Sequence, residues 1–234
     1  FSLLARIRAA RSFATLEGRR QCVRFRLLAL IILMQSNPDH DDMVAFHVNE
    51  PDFVNELVSM LCLGTSIPED IQILVLRVLA TQCSGRPRQS SVLQAISAGG
   101  HRGTLATIMQ RAIGSITGET PTGTYSYQFV EALLALVMTL LSSSSGWLCL
   151  TEVGLVPLLL PLLQDTEPTH VSLVSAGVRI LETLLDLSNS TVSRSGDSDV
   201  VVTLLRDLGG VDDIVKRLQH EVGITEIATE STGA

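Results

Sequence analysis

The sequence has few aromatic side chains and few charges. Aromatic residues make up 4% of its 234 residues, with a single tryptophan, and charged residues make up 18%. Lysine occurs once, at Lys216. Because the hydrophobic fraction is 46% and the mean hydropathy is +0.35, we expect a core of aliphatic side chains. This composition excludes a disordered chain, which would be polar and highly charged.

Cysteine pairs and long hydrophobic runs are also missing. Cys22, Cys62, Cys83 and Cys149 are far apart and form no CxxC motif, which argues against a disulfide framework or a zinc site. We expect four buried free thiols in a reducing compartment, and therefore a cytoplasmic or nuclear protein. The longest apolar run is residues 27–34, far short of the roughly 20 residues that span a membrane. The sequence predicts no membrane partner.

The charge is unevenly distributed along the chain. The net charge is −7, which makes nucleic acid an unfavourable partner. Residues 1–26, however, contain seven arginines and one acid, Glu17, whereas the remainder contains 10 basic and 23 acidic residues. A basic helix at this end would suit RNA, an anionic lipid or an acidic protein. A solvated face that pairs with acidic neighbours such as Asp39 and Asp41 explains the same charges.

The apolar residues follow a helical period throughout. Val54, Leu57, Val58 and Leu61 have the i, i+3, i+4, i+7 spacing of one helix face, and the spacing recurs further along. No stretch of alternating polarity competes with it. The residues from Ser66 to Glu69 form a capping box that predicts a helix start. We therefore predict an all-α fold.

A weak internal repeat groups these helices. Amphipathic helices are predicted to begin at intervals of 48, 54 and 56 residues, and a longer, more apolar helix precedes each. This alternation is typical of armadillo and HEAT repeats. It predicts an armadillo/HEAT-like α-solenoid of about four units over residues 1–222, with 223–234 as a frayed or disordered tail. The predicted starts are Asp52, Gly100, Gly154 and Gly210, and the longer helices are 22–35, 71–83, 129–141 and 171–187.

Turn-forming residues predict the breaks between helices. Glycine, proline, serine, asparagine and aspartate cluster at four places, where we expect loops. Pro161 lies inside a predicted helix, which should kink or end early there. The predicted loops are 35–42, 84–91, 114–124 and 188–199.

Motifs that carry chemistry are weak. Residues 39–42 (DHDD) lack the glycine and distal glutamate of a calcium loop and the histidine spacing of a zinc site. Residues 99–103 (GGHRG) lack the lysine of a phosphate-binding loop, and residues 142–146 (SSSSG) are no nucleophile elbow. We expect no catalytic residue, no metal and no cofactor in this segment.

Seven stretches, in order, resemble the N-terminal armadillo-like region of the giant HECT-type E3 ubiquitin ligases. This family includes plant ubiquitin-protein ligases, fungal Tom-type enzymes and animal Mule. The resemblance covers nearly the whole chain and departs at 190–202, which is longer than usual. The stretches are LLARIRAARSF (3–13), RFRLLALIILMQ (24–35), NEPDFVNELVSML (49–61), SAGGHRGTLATIMQRAI (97–113), EALLALVMTLLSSSSG (131–146), EVGLVPLLLPLLQDTEPTHVSLVSAGVRILETLLDLSNS (152–190) and RDLGGVDDIVKRLQHEV (206–222).

The resemblance implies a scaffold that recruits substrates. In the family, a C-terminal HECT domain outside this segment takes ubiquitin from an E2 onto a catalytic cysteine, so none of the four cysteines here inherits that role. The implied partners are protein substrates, other repeats of the same chain and, through the HECT domain, a ubiquitin-loaded E2, in protein ubiquitination and proteasomal degradation. A free-standing armadillo-like adaptor without enzymatic activity is the alternative.

Charge and predicted exposure select the candidate partner-binding residues. They lie in the basic first segment and in the turn before a predicted helix, and arginine is common at binding hot spots. Contacts between neighbouring units of the solenoid would explain them equally well. The candidates are Arg6, Arg8, Arg11, Arg19, Arg20, His101 and Arg102.

Overall fold

The computed structural model describes residues 17–36, 41–62, 67–84, 86–98, 103–118, 125–195 and 200–232. Within these ranges the chain is helical and has no β-strand, so the all-α prediction is confirmed. The helices are α1 (Glu17–Ser36), α2 (Asp41–Asn49), α3 (Phe53–Leu61), α4 (Glu69–Gln82), α5 (Arg86–Ser97), α6 (Thr104–Thr117), α7 (Tyr127–Leu140), α8 (Ser144–Glu152), α9 (Leu155–Gln164), α10 (Val171–Ser195), α11 (Val200–Asp207) and α12 (Gly210–Thr232), with a 3-10 turn at Pro168–His170.

Across the described ranges the helices repeat in groups of three. Each group has a long apolar helix (α1, α4, α7, α10), a short helix (α2, α5, α8, α11) and a third helix (α3, α6, α9, α12). The third helices begin at Phe53, Thr104, Leu155 and Gly210, at intervals of 51, 51 and 55 residues. Four units agree with the sequence analysis. The short helix of each unit was not predicted, and it brings the units closer to three-helix armadillo repeats.

The long helices form one layer, in which α1 packs on α4, α4 on α7 and α7 on α10. Because α4 lies between two neighbours, it buries consecutive residues such as Leu74, Val75 and Leu76. By contrast, α1 buries one stripe with helical spacing: Val23, Leu27, Leu30 and Met34. The third helices α6, α9 and α12 lie side by side in a second layer. Stacking thus supplies the burial that a single unit lacks.

A left-handed glycine precedes three of the third helices. Gly103, Gly154 and Gly209 have φ of 81°, 78° and 75°, a conformation that other residues adopt at a cost. They come directly before α6, α9 and α12. The same left-handed turn therefore precedes the third helix in three successive units. The predicted start of α12 at Gly210 is confirmed, whereas the predicted start of α6 at Gly100 lies four residues before the observed start at Thr104.

Several helix ends differ from the prediction. Residues 86–91 were expected to be a loop but open α5, with Pro87 in the first turn, where its missing N–H is not needed. Helix α10 continues to Ser195 through a serine-rich stretch that has neither glycine nor proline to stop it. Pro161 lies within α9, which ends at Gln164. Helix α12 runs to Thr232 and so includes most of 223–234, the segment assigned to a tail.

Two polar contacts, both at least partly buried, join neighbouring units. The Nε2 of Gln89 on α5 donates to the carbonyls of Leu140 (2.8 Å) and Thr139 (3.0 Å) at the end of α7. The carboxylate of Glu69 accepts from the backbone N–H of Ser126, the N-cap of α7, at 2.7 Å. Glu69 had been expected to serve a capping box of its own helix. Both contacts satisfy backbone groups that a helix end leaves without partners.

The four cysteines are free, but only Cys83 is buried. Cys22 is exposed on α1, because it lies on the side of that helix away from α4, and Cys62 and Cys149 are half-buried. The prediction of four buried thiols was therefore wrong for three of them. No single helix among the described residues is long and apolar enough to cross a membrane; α8 and α9 meet that criterion only together, across a 78° bend.

Candidate interaction surface

Two of the seven candidate partner-binding residues, Arg19 and Arg20, lie in the described part of the chain. They occupy the first turn of α1, where Arg19 is exposed. The remaining candidates lie outside the described residues, and their contacts are not characterised. These are Arg6, Arg8, Arg11, His101 and Arg102.

Arg20 forms an ion pair with Asp70 of the neighbouring long helix. Its Nε lies 3.1 Å from both carboxylate oxygens, and its Nη2 lies 2.7 Å from Oδ1. The Nη1 is also 3.6 Å from Glu17, one turn away on α1. The hydrogen bond to Asp70 raises the pKa of Arg20 further, so the guanidinium stays charged. This geometry joins α1 to α4, as expected for a contact between neighbouring units.

The outer face of α1 combines basic and apolar side chains. Arg24 is exposed, and beside it the Phe25 side chain is 66% exposed. Ile32 and Leu33 are exposed further along the same helix. Large apolar residues in solvent beside cations are typical of protein-interaction surfaces. We call Arg24, Phe25, Ile32 and Leu33 the α1 outer face.

Sequence reasoning identified the charge of this face but missed its apolar part. Residues 27–34 are apolar without interruption, so their pattern alone does not show which residues face solvent. The spacing of Val23, Leu27, Leu30 and Met34 was the available signal. It places the buried stripe on one side of the helix and leaves Phe25 and Ile32 on another.

Open clefts lie between neighbouring helices. One, of about 340 Å³, lies among α5, α6 and α8 and is lined by Ser97, Leu105, Cys149 and Glu152. The Sγ of Cys149 is 3.4 Å from the Oγ of Ser97, a contact that supplies no base to activate the thiol. The cleft is a groove that opens to solvent at the protein surface.

A second cleft, of about 440 Å³, lies between α9 and α12 and contains a buried cation. Arg217 is 8% exposed, and it donates to the carbonyl of Asp165 and to the carboxylate of Glu221. Across the same junction, the Gln164 amide donates to Asp213 at 2.9 Å. The contacts of Arg217 and Gln164 fasten α9 to α12, whereas the Nδ1 of His220, which also lines this cleft, is buried without a hydrogen-bond partner.

Burial raises the pKa of the Cys83 thiol to about 12, which keeps it protonated and unreactive at neutral pH. Within the described ranges, no group of three histidine, cysteine or acidic residues has metal-binding geometry. The side chains of residues 39–42 lie outside the description.

Comparisons with known proteins identify relatives along almost the whole chain. Residues 1–114 match the family described as Domain of Unknown Function (DUF908). The chain is 45% identical, over 226 residues, to the E3 ubiquitin-protein ligases UPL1 and UPL2 of Arabidopsis thaliana. It is 24% identical, also over 226 residues, to E3 ubiquitin-protein ligase HUWE1 of Mus musculus. No solved structure is significantly similar to it.

The matches cover 95–97% of this chain but only 5–6% of each relative. The chain thus corresponds to a small part of a very long protein. The resemblance carried by the seven stretches is confirmed. Residues 1–114 match the DUF908 family, and 226 residues of the chain are similar to a segment of these E3 ubiquitin-protein ligases.

Proposed function

We propose that the chain is a scaffold and substrate-recruiting segment of a HECT-type E3 ubiquitin ligase, acting in protein ubiquitination and proteasomal degradation. The observation that carries the proposal is 45% identity over 226 residues to two E3 ubiquitin-protein ligases. The chain spans about 6% of the length of these relatives. We therefore include in the proposal that the whole polypeptide transfers ubiquitin, that it receives ubiquitin from a loaded E2, and that it is cytoplasmic or nuclear. A HECT domain elsewhere in the polypeptide would supply the catalytic cysteine.

The cysteine environments support a non-catalytic role for this segment. A thioester-forming cysteine needs an accessible thiol with a lowered pKa. Cys83 has the opposite properties, since it is buried and its pKa is raised. Cys149 has a serine hydroxyl as its neighbour, which cannot act as a general base.

The stacked architecture supports a recruiting role. Stacked units present a long surface whose side chains come from many helices, and such surfaces bind extended polypeptides. The α1 outer face adds one exposed cation, Arg24, beside exposed apolar groups. This combination would fit a substrate segment that carries acidic and apolar side chains.

The test uses the full-length polypeptide and one pair of substitutions on the α1 outer face. Arg24→Glu with Phe25→Ser reverses a charge and removes an exposed aromatic ring without touching the core. The matched control is Val178→Ser with Arg179→Glu, which makes the same kind of change at exposed positions of α10. Ubiquitin-remnant peptides from cellular proteins and ubiquitination of the polypeptide itself are quantified side by side.

We expect the α1 variant to lose ubiquitination of a subset of cellular proteins while its self-ubiquitination is unchanged. The α10 control should alter neither quantity. Equal ubiquitination of all cellular proteins by the α1 variant and the wild type would refute recruitment through this face. A parallel loss of self-ubiquitination would assign the face to ligase assembly instead.

A further inference from the structure

The third helix of the last unit exposes residues that earlier units bury. In α9, the second, sixth and ninth residues are Val156, Leu160 and Leu163, which are 4%, 8% and 2% exposed. In α6, the residues at the same positions are Leu105, Met109 and Ala112, at 6%, 0% and 0%. All six are enclosed by neighbouring helices.

At the same positions of α12 the side chains are in solvent. Val211, Val215 and Leu218 are 51%, 47% and 60% exposed, and Val222, one turn further along, is 56% exposed. Their spacing of four, three and four residues places them in one stripe along the helix. We call these four residues the α12 stripe. An apolar stripe of this length is unusual on a surface that stays in water.

The covering of α9 shows what normally lies against this face. Helix α12 of the following unit packs beside α9, and α9 in turn packs beside α6. At the start of α12, a Cβ added to Gly210 would lie 2.8 Å from the Cδ2 of Leu160, the sixth residue of α9. The sixth position of a third helix is therefore covered by the third helix of the next unit.

The other side of α12 is already occupied. Asp213 accepts from Gln164 of α9, and the buried Arg217 donates to the carbonyl of Asp165. These residues lie roughly a third of a turn or more around the helix from the α12 stripe. Helix α12 is thus attached to its preceding unit by one face, and its stripe points away from that unit.

We propose that a further three-helix unit of the same polypeptide packs on the α12 stripe, with its third helix against Val211, Val215 and Leu218. Two observations select this occupant. The same positions of α6 and α9 are buried where a following unit exists, and each relative extends far beyond the part that this chain matches. The proposal rests on the proposed place of this chain within a longer polypeptide, but it does not depend on substrate recruitment.

Cysteine protection in the full-length polypeptide tests the proposal. Val215→Cys and Leu218→Cys place thiols in the stripe, and Gln219→Cys places the control thiol on the adjacent exposed side of α12. Maleimide labelling is followed by mass spectrometry of the individual peptides, so the native cysteines do not interfere. We expect labelling at 215 and 218 to be at least tenfold slower than at 219, and denaturant should equalise the rates. Equal native rates would overturn the proposal.

A photo-crosslinking side chain at position 218 identifies what covers the stripe. The expected product is a crosslink within one polypeptide, to a helix outside residues 1–234. A crosslink to a second copy, or to an unrelated protein, would overturn the proposal even if the thiols are protected. Because neither measurement uses ligase activity, a failure here is distinct from a failure of the recruitment proposal.

Discussion

Arg20 on α1 and Asp70 on α4 are 50 residues apart in sequence and meet in a two-point ion pair at 2.7 to 3.1 Å. The pair joins the first two long helices of the stack. Both side chains are partly exposed, so water and salt screen the interaction. An arginine that the sequence offered for partner binding thus contributes to contact between units.

Replacing Arg20 by lysine should weaken this junction, because an ammonium group cannot reproduce the two parallel contacts of a guanidinium. We expect a small decrease in the melting temperature of the polypeptide that contains α1 and α4. The difference from wild type should shrink as sodium chloride is raised. Arg24→Lys, at an exposed position on the same helix, is the control. A salt-independent difference would show that the ion pair is not its source.

Gly146→Ala should be strongly destabilising, because a Cβ at Gly146 would lie 1.8 Å from the carbonyl oxygen of Leu140. Backbone cannot move aside as a flexible side chain would, and forced overpacking of this kind costs about 1–3 kcal/mol. Gly18→Ala is the matched control, since nothing lies within 4 Å of the added methyl group. Urea denaturation measures both, and equal free energies of unfolding would contradict this packing.

Gln89→Leu should destabilise the junction between α5 and α7. The substitution leaves the carbonyls of Thr139 and Leu140 without their buried donor, a loss of about 1–3 kcal/mol. Gln94→Leu changes an exposed glutamine of the same helix and should leave the free energy of unfolding nearly unchanged. If the two substitutions change the free energy of unfolding equally in chemical denaturation, the hydrogen bonds of Gln89 to the end of α7 do not contribute to stability.

Thiol reactivity should separate Cys83 from Cys22. Cys22 is exposed and should label rapidly with maleimide at pH 8 in the native protein. Cys83 should resist labelling until the protein unfolds, because burial removes access and raises its pKa to about 12. Peptide-level mass spectrometry measures both sites in one sample. Similar native labelling rates would contradict the burial of Cys83.

The raised pKa of Cys83 also predicts that the free energy of unfolding depends on pH. The pKa of Cys83 rises from an ordinary value near 9 to about 12 on folding, so the unfolded chain loses this proton first. Its contribution is fully present below pH 9 and is lost as pH rises from 9 to 12. Cys83→Ala should therefore flatten the decrease in the free energy of unfolding over that range. An unchanged slope would contradict the shift.

The long helices, the third helices and the number of units could be predicted because their signals are local. The i, i+3, i+4, i+7 spacing of residues such as Val54 and Leu57 reports a buried helix face directly. The recurrence of that spacing about every 50 residues reports stacking. Family resemblance then connected the stack to the E3 ubiquitin ligases, which the comparisons confirmed.

The short helices and the contacts between units could not be predicted in this way. Helix α5 begins with Arg86 and Pro87, and a charged residue followed by a proline indicates a loop as readily as a first turn. Partners such as Gln89 and Leu140 are 51 residues apart, and nothing in their local sequence specifies the pairing. The exposure of Phe25 and Cys22 depends on which neighbours α1 has. These features arise from tertiary packing, which a single sequence does not display.

The most direct test of the central claim is the mass and C-terminal sequence of the native polypeptide, determined by mass spectrometry of the endogenous protein. If the segment is a scaffold within a HECT-type ubiquitin ligase, the polypeptide will be many times longer than 234 residues and will carry a HECT domain. A native polypeptide that ends near Ala234 would contradict the ligase proposal and favour a free-standing adaptor.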